Sequence, residues 1–483
     1  MNDLELSRSR GLPSLSWQQL LILSALVALL AALGFVFIRH LVDFPVYYAA
    51  GRSLISGRTD LYAPDFASGP TMDYRYPPFF IVSLIPLWHL PYEQAAYMWH
   101  LLGIVAIVAC CWATGQAISL SHQASPGCAA QDHKRWRDRN YIVTPVLTLL
   151  GVAQYYVMSL HYGNAQLLVT ALMLCALLLF LRRRDFSASP LLALAITVKI
   201  TPALFLIYFA FKRRWRLVMT TAGLVILFNL APAAYFGFSG NAGLIRTWYR
   251  HVLVDQEFHE VNGPINLSLK GQLVRSLTPV DYSNRLDGDT RYPAVNIADF
   301  SYSGISRLWL ALDSLMLAFG LILTSGVRRG LEQQSPHPQA AVAPDLIDRA
   351  LQEQVALDST PLANMIARPA GAPALETTAT LEIGIVLCLL LLGEPLTSKI
   401  YFVALIWPLA VLLDAVVRLP ERLPRLIRFT AAAVVVANVV LPLLPGRSVQ
   451  RLLLVFGVDF YLTCLILIML VWVLLARLRG ILS

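Results

Sequence analysis

Apolar residues along this chain fall in long, nearly uninterrupted runs, and many of the runs approach the roughly 20 residues that an α-helix needs to cross a bilayer. They lie at about 20–38, 94–118, 141–159, 164–181, 217–235, 303–325, 379–394, 400–417, 428–446 and 451–477. The pattern predicts an all-α polytopic bundle of about 10 to 12 membrane helices, joined by external loops that carry short amphipathic helices. The first run, Leu20 to Ile38, follows Arg8 and Arg10 and is longer than the core of a signal peptide. It also lacks a small-residue cleavage pattern, so it reads as a retained helix.

Two interruptions modify this picture. Residues 189–211 form two short apolar halves broken at Lys199-Ile200-Thr201-Pro202, which suits a hairpin that enters the membrane and turns back. Backbone irregularity at that depth must face protein or a water-filled cavity. The stretch Pro77 to Leu90 carries Pro77, Pro78 and Pro86 within a short run, with Pro91 just after it. It reads as a lid or half-helix, because a full span there would invert every later helix.

Charge supports that choice. With the amino terminus inside, the cytoplasmic loops receive Lys134, Arg135, Arg137, Arg139, Arg182 to Arg184, Lys212 to Arg214, Arg418, Arg422, Arg425 and Arg428, as the positive-inside rule requires. The expected organisation is a cytoplasmic segment 1–19, a membrane core 20–325, a flexible cytoplasmic insert 326–378 and C-terminal membrane helices 379–483. The core has external loops at 39–76 and 236–302. The insert is rich in Ala, Pro, Gln and Ser, with one short amphipathic helix expected near Asp345 to Leu357.

Composition agrees with a membrane class: 57% of the residues are hydrophobic and 14% charged, where soluble domains run near a quarter charged. The net charge of +9 is explained by loop arginines, which argues against a nucleic-acid partner. Five of the six cysteines (Cys110, Cys111, Cys175, Cys388 and Cys464) lie in apolar runs and Cys128 in a basic loop, so they read as small hydrophobes rather than disulfides or metal ligands.

Polar candidates concentrate in the loops assigned outside. Asp43 stands just past the first span among aromatic and apolar residues, where partial desolvation raises a carboxylate's pKa and suits it to general base catalysis; a helix cap is the plain alternative. Tyr47, Tyr48 and Tyr76 follow, as site residues or as part of an interfacial aromatic belt. The turn at His161, Asn164 and Gln166 offers hydrogen-bonding side chains, although a turn between two helices is polar in any case. Lys199 at the hairpin tip is an intramembrane cation and therefore a functional candidate, or else a structural partner of a carbonyl or an acid. Lys270, Arg275, Lys399 and Arg75 are external cations.

Taken in order, these pieces resemble glycosyltransferase family 87, membrane mannosyltransferases of the GT-C fold that use polyprenyl phosphate sugars. The resemblance rests on Asp43-Phe44 with Tyr47 to Gly51, Leu61-Tyr62, Tyr76-Pro77-Pro78 and Lys199 with Pro202. Further along it rests on Arg213 to Arg216, Trp248, Asn266 to Gly271 with Arg275, and Pro395 to Lys399 leading to Pro408. It covers residues 20 to about 420 without the insert. Two departures stand out: Gly163-Asn164-Ala165-Gln166 exchanges the two amides of the family's turn, and Tyr401 replaces a histidine often found there. Glu394 also stands where a serine is usual.

The resemblance implies an inverting transfer of a hexose, expected to be mannose, from a polyprenyl phosphate donor to a lipid or glycan acceptor at the non-cytoplasmic face of the cell membrane. Asp43 would be the base, and Tyr47, Tyr48, Tyr76, His161, Asn164, Gln166, Lys199, Asn266, Lys270, Arg275, Lys399 and Tyr401 would surround the substrates. No cofactor or metal is expected, and membrane lipids are the only other partners implied. A flippase of lipid-linked sugars or an envelope-assembly scaffold are the rivals. The first would place charge near the bilayer midplane in paired halves, and no internal repeat is present.

Overall fold

The computed structural model describes residues 17–63, 74–123, 130–250, 265–279, 286–287, 290–291, 295–334 and 372–479. The long apolar runs form helices because only a helix satisfies every backbone amide within the segment when lipid replaces water. The first part of the bundle is α1 (Trp17–Phe37), α2 (Phe44–Ile55), α3 (Pro78–Ser83), α4 (Ile85–Trp88), α5 (Tyr92–Gln123), α6 (Ala130–Tyr162), α7 (Gln166–Leu181), α8 (Asp185–Val198) and α9 (Leu204–Phe211). It continues with α10 (Trp215–Leu230), α11 (Ala233–Trp248), α12 (Leu269–Leu277), α13 (Tyr302–Gln334) and α14 (Ala372–Gly393). A 3-10 turn, Lys399–Leu405, then leads into α15 (Ile406–Arg418), followed by α16 (Arg425–Val440), α17 (Arg447–Phe456) and α18 (Val458–Leu478). A two-residue antiparallel pairing, β1 (Leu286–Asp287) with β2 (Thr290–Arg291), is the only sheet among the described residues.

Six helices among the described residues are long and apolar enough to cross a membrane, or seven if the bent pair α10 and α11 counts as one span; shorter apolar helices lie between them. The protein is thus a multi-pass membrane protein. Helix α7 and the segment 402–415 are buried around most of their circumference and form the middle of the bundle. Helices α10, α13 and α16 instead expose Met219, Ile226, Leu315, Phe319, Ile322, Leu426 and Phe429, an outward apolar surface suited to lipid tails.

The interruption at Lys199 is a helical hairpin. Helix α8 stops at Val198, Lys199 is extended, and a 3-10 turn at Thr201–Ala203 starts α9 on its return. A bidentate Arg214–Asp185 ion pair with Nη2 to Oδ2 at 2.6 Å closes the open end of the hairpin. The stretch Pro77 to Leu90 forms the two short helices α3 and α4, too short to span. Two expected boundaries shift. The span at 217–235 ends at Leu230, because Pro232 breaks the helix and α11 leaves at 98°. The span at 451–477 divides at Gly457, whose left-handed φ of 68° separates the amphipathic α17 from α18. Helices α13 and α14 reach to Gln334 and from Ala372, and the expected helix near Asp345 to Leu357 lies outside the described residues.

The chain's alternation gathers Arg182 to Arg184, Lys212 to Arg216, Arg418 and Arg477 at one end of the bundle. There Arg182 donates to Gln116 at 2.6 Å, and His122 and Arg418 both meet Asp414. The opposite end carries Asp43, the 161–165 turn, the hairpin tip and residues 394–398.

Candidate active site

The segment bearing Asp43 is held in place by its backbone. The N–H groups of Val42 and Asp43 both donate to the Tyr162 carbonyl, at 3.1 and 2.9 Å, tying the end of α1 to the end of α6. Gly163 turns that chain with a φ of 65°, and an added Cβ would stand 2.9 Å from Leu41. Trp99 Nε1 donates to the Gly163 carbonyl at 2.8 Å. Beside Asp43, Phe44 is fully buried against Trp88, Tyr92 and Trp99, and Gly51 gives the Trp88 ring room to lie on α2.

Asp43 occupies the N-cap position of α2, yet its side chain makes no capping hydrogen bond. Its φ and ψ are those of helix rather than of a normal cap, which turns the carboxylate away from the N-terminal amides. The group is half-buried. Burial pushes its pKa up to about 6, against the opposing pull of the Lys199 and Arg75 charges.

Around Asp43 stand three other elements. Tyr76 bonds Tyr47 hydroxyl to hydroxyl at 2.9 Å and stacks on Phe80 with ring centroids 4.5 Å apart. Both phenols feel the Asp43 charge, and burial keeps both firmly protonated. The Trp248 indole donates to the Arg75 carbonyl at 3.0 Å, pinning the Arg75 segment beneath α11. From the hairpin tip, Lys199 Nζ donates to Gln166 Oε1 at 2.8 Å and stands 3.3 Å from the centre of the Tyr401 ring, a cation–π contact. Next to it stands Glu394, just past α14, whose Oε1 is buried without a partner among the described residues. Burial raises the Glu394 pKa, and Lys199 and Thr201 pull it back.

The exchanged amides find distinct uses here. Asn164 Oδ1 accepts from the Gln166 N–H at 2.8 Å and from Ser159 Oγ at 3.2 Å, so Asn164 shapes the turn that opens α7. Gln166, the second amide, holds Lys199.

The remaining expected residues lie elsewhere. Tyr48 donates to the Leu90 carbonyl at 2.8 Å and packs on Tyr92. The His161 ring meets Phe37 edge-on, with centroids 5.6 Å apart. Asn266 is fully buried: it donates to the Pro395 carbonyl at 2.9 Å and accepts from the Thr397 and Ser268 amides. Arg275, also buried, donates to the Asn266 carbonyl. The pair therefore clamps α12 to the 395–397 turn instead of facing Asp43. Lys270 lies over the Trp309 ring at 4.5 Å. Lys399 points to Asp459 at 3.9 Å, in a network with Tyr155 and Asn438. Thr201, Trp309 and Asp313 were not among the expected site residues; Asp313, a lone acid inside an apolar span, carried a readable signal.

Among the described residues no three His, Cys, Asp or Glu side chains gather as a metal site. One Asp-x-Asp spacing, the usual sign of a metal-held nucleotide sugar, occurs at Asp287 and Asp289 in the long loop. Asp289 lies outside the described residues.

Chemically, the cluster sets a half-buried carboxylate opposite two cations, with aromatic walls and a second half-buried acid. It can accept a proton and hold an anion in one place.

The model of glycosyltransferase family 87 matches residues 74–343, more than half of the chain. One relative is the polyprenol-phosphate-mannose-dependent alpha-(1-2)-phosphatidylinositol pentamannoside mannosyltransferase of Mycolicibacterium smegmatis (strain ATCC 700084 / mc(2)155). It is 25% identical over 273 residues, which cover 54% of this chain and 59% of the relative. The match thus spans about three fifths of that relative's length. No solved structure matches.

Proposed function

Since the chain belongs to glycosyltransferase family 87, we propose that it transfers a hexose, mannose by analogy with the relative's donor, from a polyprenyl phosphate to a hydroxyl of a lipid or glycan acceptor. The observation that carries this reading is the Asp43 carboxylate, free of capping duty and faced by Lys199 and Arg75.

In the proposed step the acceptor oxygen attacks the anomeric carbon and its proton passes to Asp43. The bond from that carbon to the phosphate oxygen breaks, and the phosphate leaves with the electron pair. One displacement through an oxocarbenium-like state inverts the anomeric centre. The charge that develops on the phosphate is met by Lys199 and Arg75, which are held in position before reaction by Gln166, Tyr401 and the Trp248 contact. Buried Tyr47 and half-buried Tyr76 line the approach as neutral phenols.

The site end is assigned to the non-cytoplasmic face because the arginine-rich turns lie at the other end. In a cysteine-free background, Cys at the exposed position Ser301 should react with a membrane-impermeant thiol reagent in intact cells, and Cys at Glu421 should not; the opposite labelling refutes the sidedness. The activity itself is tested with purified protein in nanodiscs and labelled polyprenyl phosphate mannose, reading transfer to extracted glycolipids and the anomeric configuration of the product by NMR. Transfer with inversion is expected. A folded protein that accepts sugar from a nucleotide donor and not from the lipid phosphate would overturn the reading.

A further inference from the structure

Between α13, α14 and the hairpin tip lies a cavity of about 220 Å³, far above the roughly 10–15 Å³ that one water needs. Its polar lining is Thr201, Trp309, Asp313 and Glu394, and Leu and Met side chains form the rest of the wall with Pro395. The Asp313 carboxylate rests against Gly393, where a side chain would collide with it. Trp309 Nε1 and Glu394 Oε1 are both buried without a hydrogen-bond partner among the described residues. One is a donor and the other an acceptor, and both residues line this one cavity.

A buried polar atom left unpaired is costly, so the pair points to a ligand that supplies what the chain does not. A phosphate does not fit, because the lining offers it two acid side chains and no cation. A hydrocarbon tail would leave both atoms unpaired. A cationic amine could approach the acids but offers no acceptor to the indole N–H. A sugar ring meets all of these demands: its hydroxyls both donate and accept, and its C–H faces suit an apolar wall. Lys270 over the Trp309 ring holds the indole in place from outside. Thr201, in the same lining, stands two residues from Lys199 at the hairpin tip, so the cavity adjoins the candidate site.

We propose that this cavity is a binding subsite for a neutral sugar ring of a glycolipid substrate, contacted by Glu394, Trp309, Thr201 and Asp313. It rests on the transferase reading for the source of that sugar, while its chemistry stands on the cavity alone.

The test is binding of decyl mannoside to the purified full chain in glycoside-free nanodiscs, followed by saturation-transfer NMR, beside decyl phosphate and decyltrimethylammonium. Wild-type protein should bind the mannoside and discriminate against the two charged probes. Trp309→Phe, which keeps the ring and loses the donor, and Glu394→Gln should each weaken mannoside binding about fivefold to tenfold at unchanged melting temperature, the scale of one hydrogen bond. Displacement of the probe by polyprenyl phosphate mannose but not by sugar-free polyprenyl phosphate makes the bound ring the donor's. Displacement by a neutral glycolipid alone makes it the acceptor's. Equal binding of decyl phosphate, preferential binding of the ammonium probe, or no change in either variant overturns the proposal. A wild-type protein that binds the mannoside but transfers no sugar would instead refute the proposed function and leave the subsite standing.

Discussion

Two acids on or just past α14 each face a lysine of the same hairpin, and they are treated in opposite ways. Glu382 receives Lys212 Nζ at 2.7 Å and the Tyr208 hydroxyl at 2.9 Å, while Lys212 also donates to the Thr324 carbonyl at 2.9 Å. Twelve residues on, about 18 Å along a helix axis, Glu394 keeps one oxygen unpaired. Its lysine, Lys199, turns to Gln166 and the Tyr401 ring. The first pair is closed by protein groups alone and fixes the open end of the hairpin. The second leaves hydrogen-bonding capacity over, beside a cavity and a carboxylate that caps nothing. The contrast separates a charge kept for structure from a charge kept for a substrate: Glu382 is buried and partnered, while Glu394 is half-buried at a cavity.

The comparison breaks most visibly at Asp43. Replacement by asparagine keeps the shape and should lower sugar transfer by about a hundred to ten thousandfold, the usual range for a general base, with donor-lipid binding retained; this is checked by turnover and binding measurements on the same nanodisc sample. The two hairpin lysines should then divide. Lys199→Met should cut transfer by about a hundred to a thousandfold, as for loss of one preorganised charge at a transition state, and leave thermal unfolding nearly unchanged. Lys212→Met strands Glu382 without its cation and should cost about 3–5 kcal/mol of stability, seen as a lower unfolding midpoint, while protein that stays folded keeps its catalytic rate. If Lys212→Met instead lost catalysis at an unchanged midpoint, the division between the pairs would fail. Smallest is Tyr48→Phe, which removes the bond to the Leu90 carbonyl. It should cost about 1 kcal/mol and change transfer by less than about threefold, which a melting curve and a turnover assay resolve.

The bundle was largely legible in the sequence because lipid leaves the chain few options: long apolar runs become helices, and the break at Lys199 to Pro202 becomes a hairpin. The missed boundaries have local causes. Pro232 bends a run whose composition continues beyond it, and Gly457 divides α17 from α18 although apolar residues flank it on both sides. Of the candidate site, Asp43, Tyr76, Gln166, Lys199 and Tyr401 could be read as a group, since each is a polar or aromatic residue at a break or turn that the alternation of spans puts at one end of the bundle. Asn266 and Arg275 look the same in sequence, yet the structure uses them to clamp the 395–397 turn. Only the fold reveals which polar side chains are already satisfied by backbone, and that also hid the role of Asn164 and the unpaired atoms of Trp309 and Glu394.

In the proposed reaction Asp43 takes the acceptor's proton. Its pKa near 6 sets the sign: below that pH the carboxyl is protonated and cannot act as a base, so transfer should rise as pH increases through about 6 and level off above. The most direct measurement is kcat/KM for transfer against pH, which reports the ionisation of the substrate-free protein, for wild type and Asp43→Asn side by side. The account predicts a limb near pH 6 in the wild type and a low rate without that limb in the variant. The same limb in the Asp43→Asn protein, at a rate within a few fold of wild type, would contradict it.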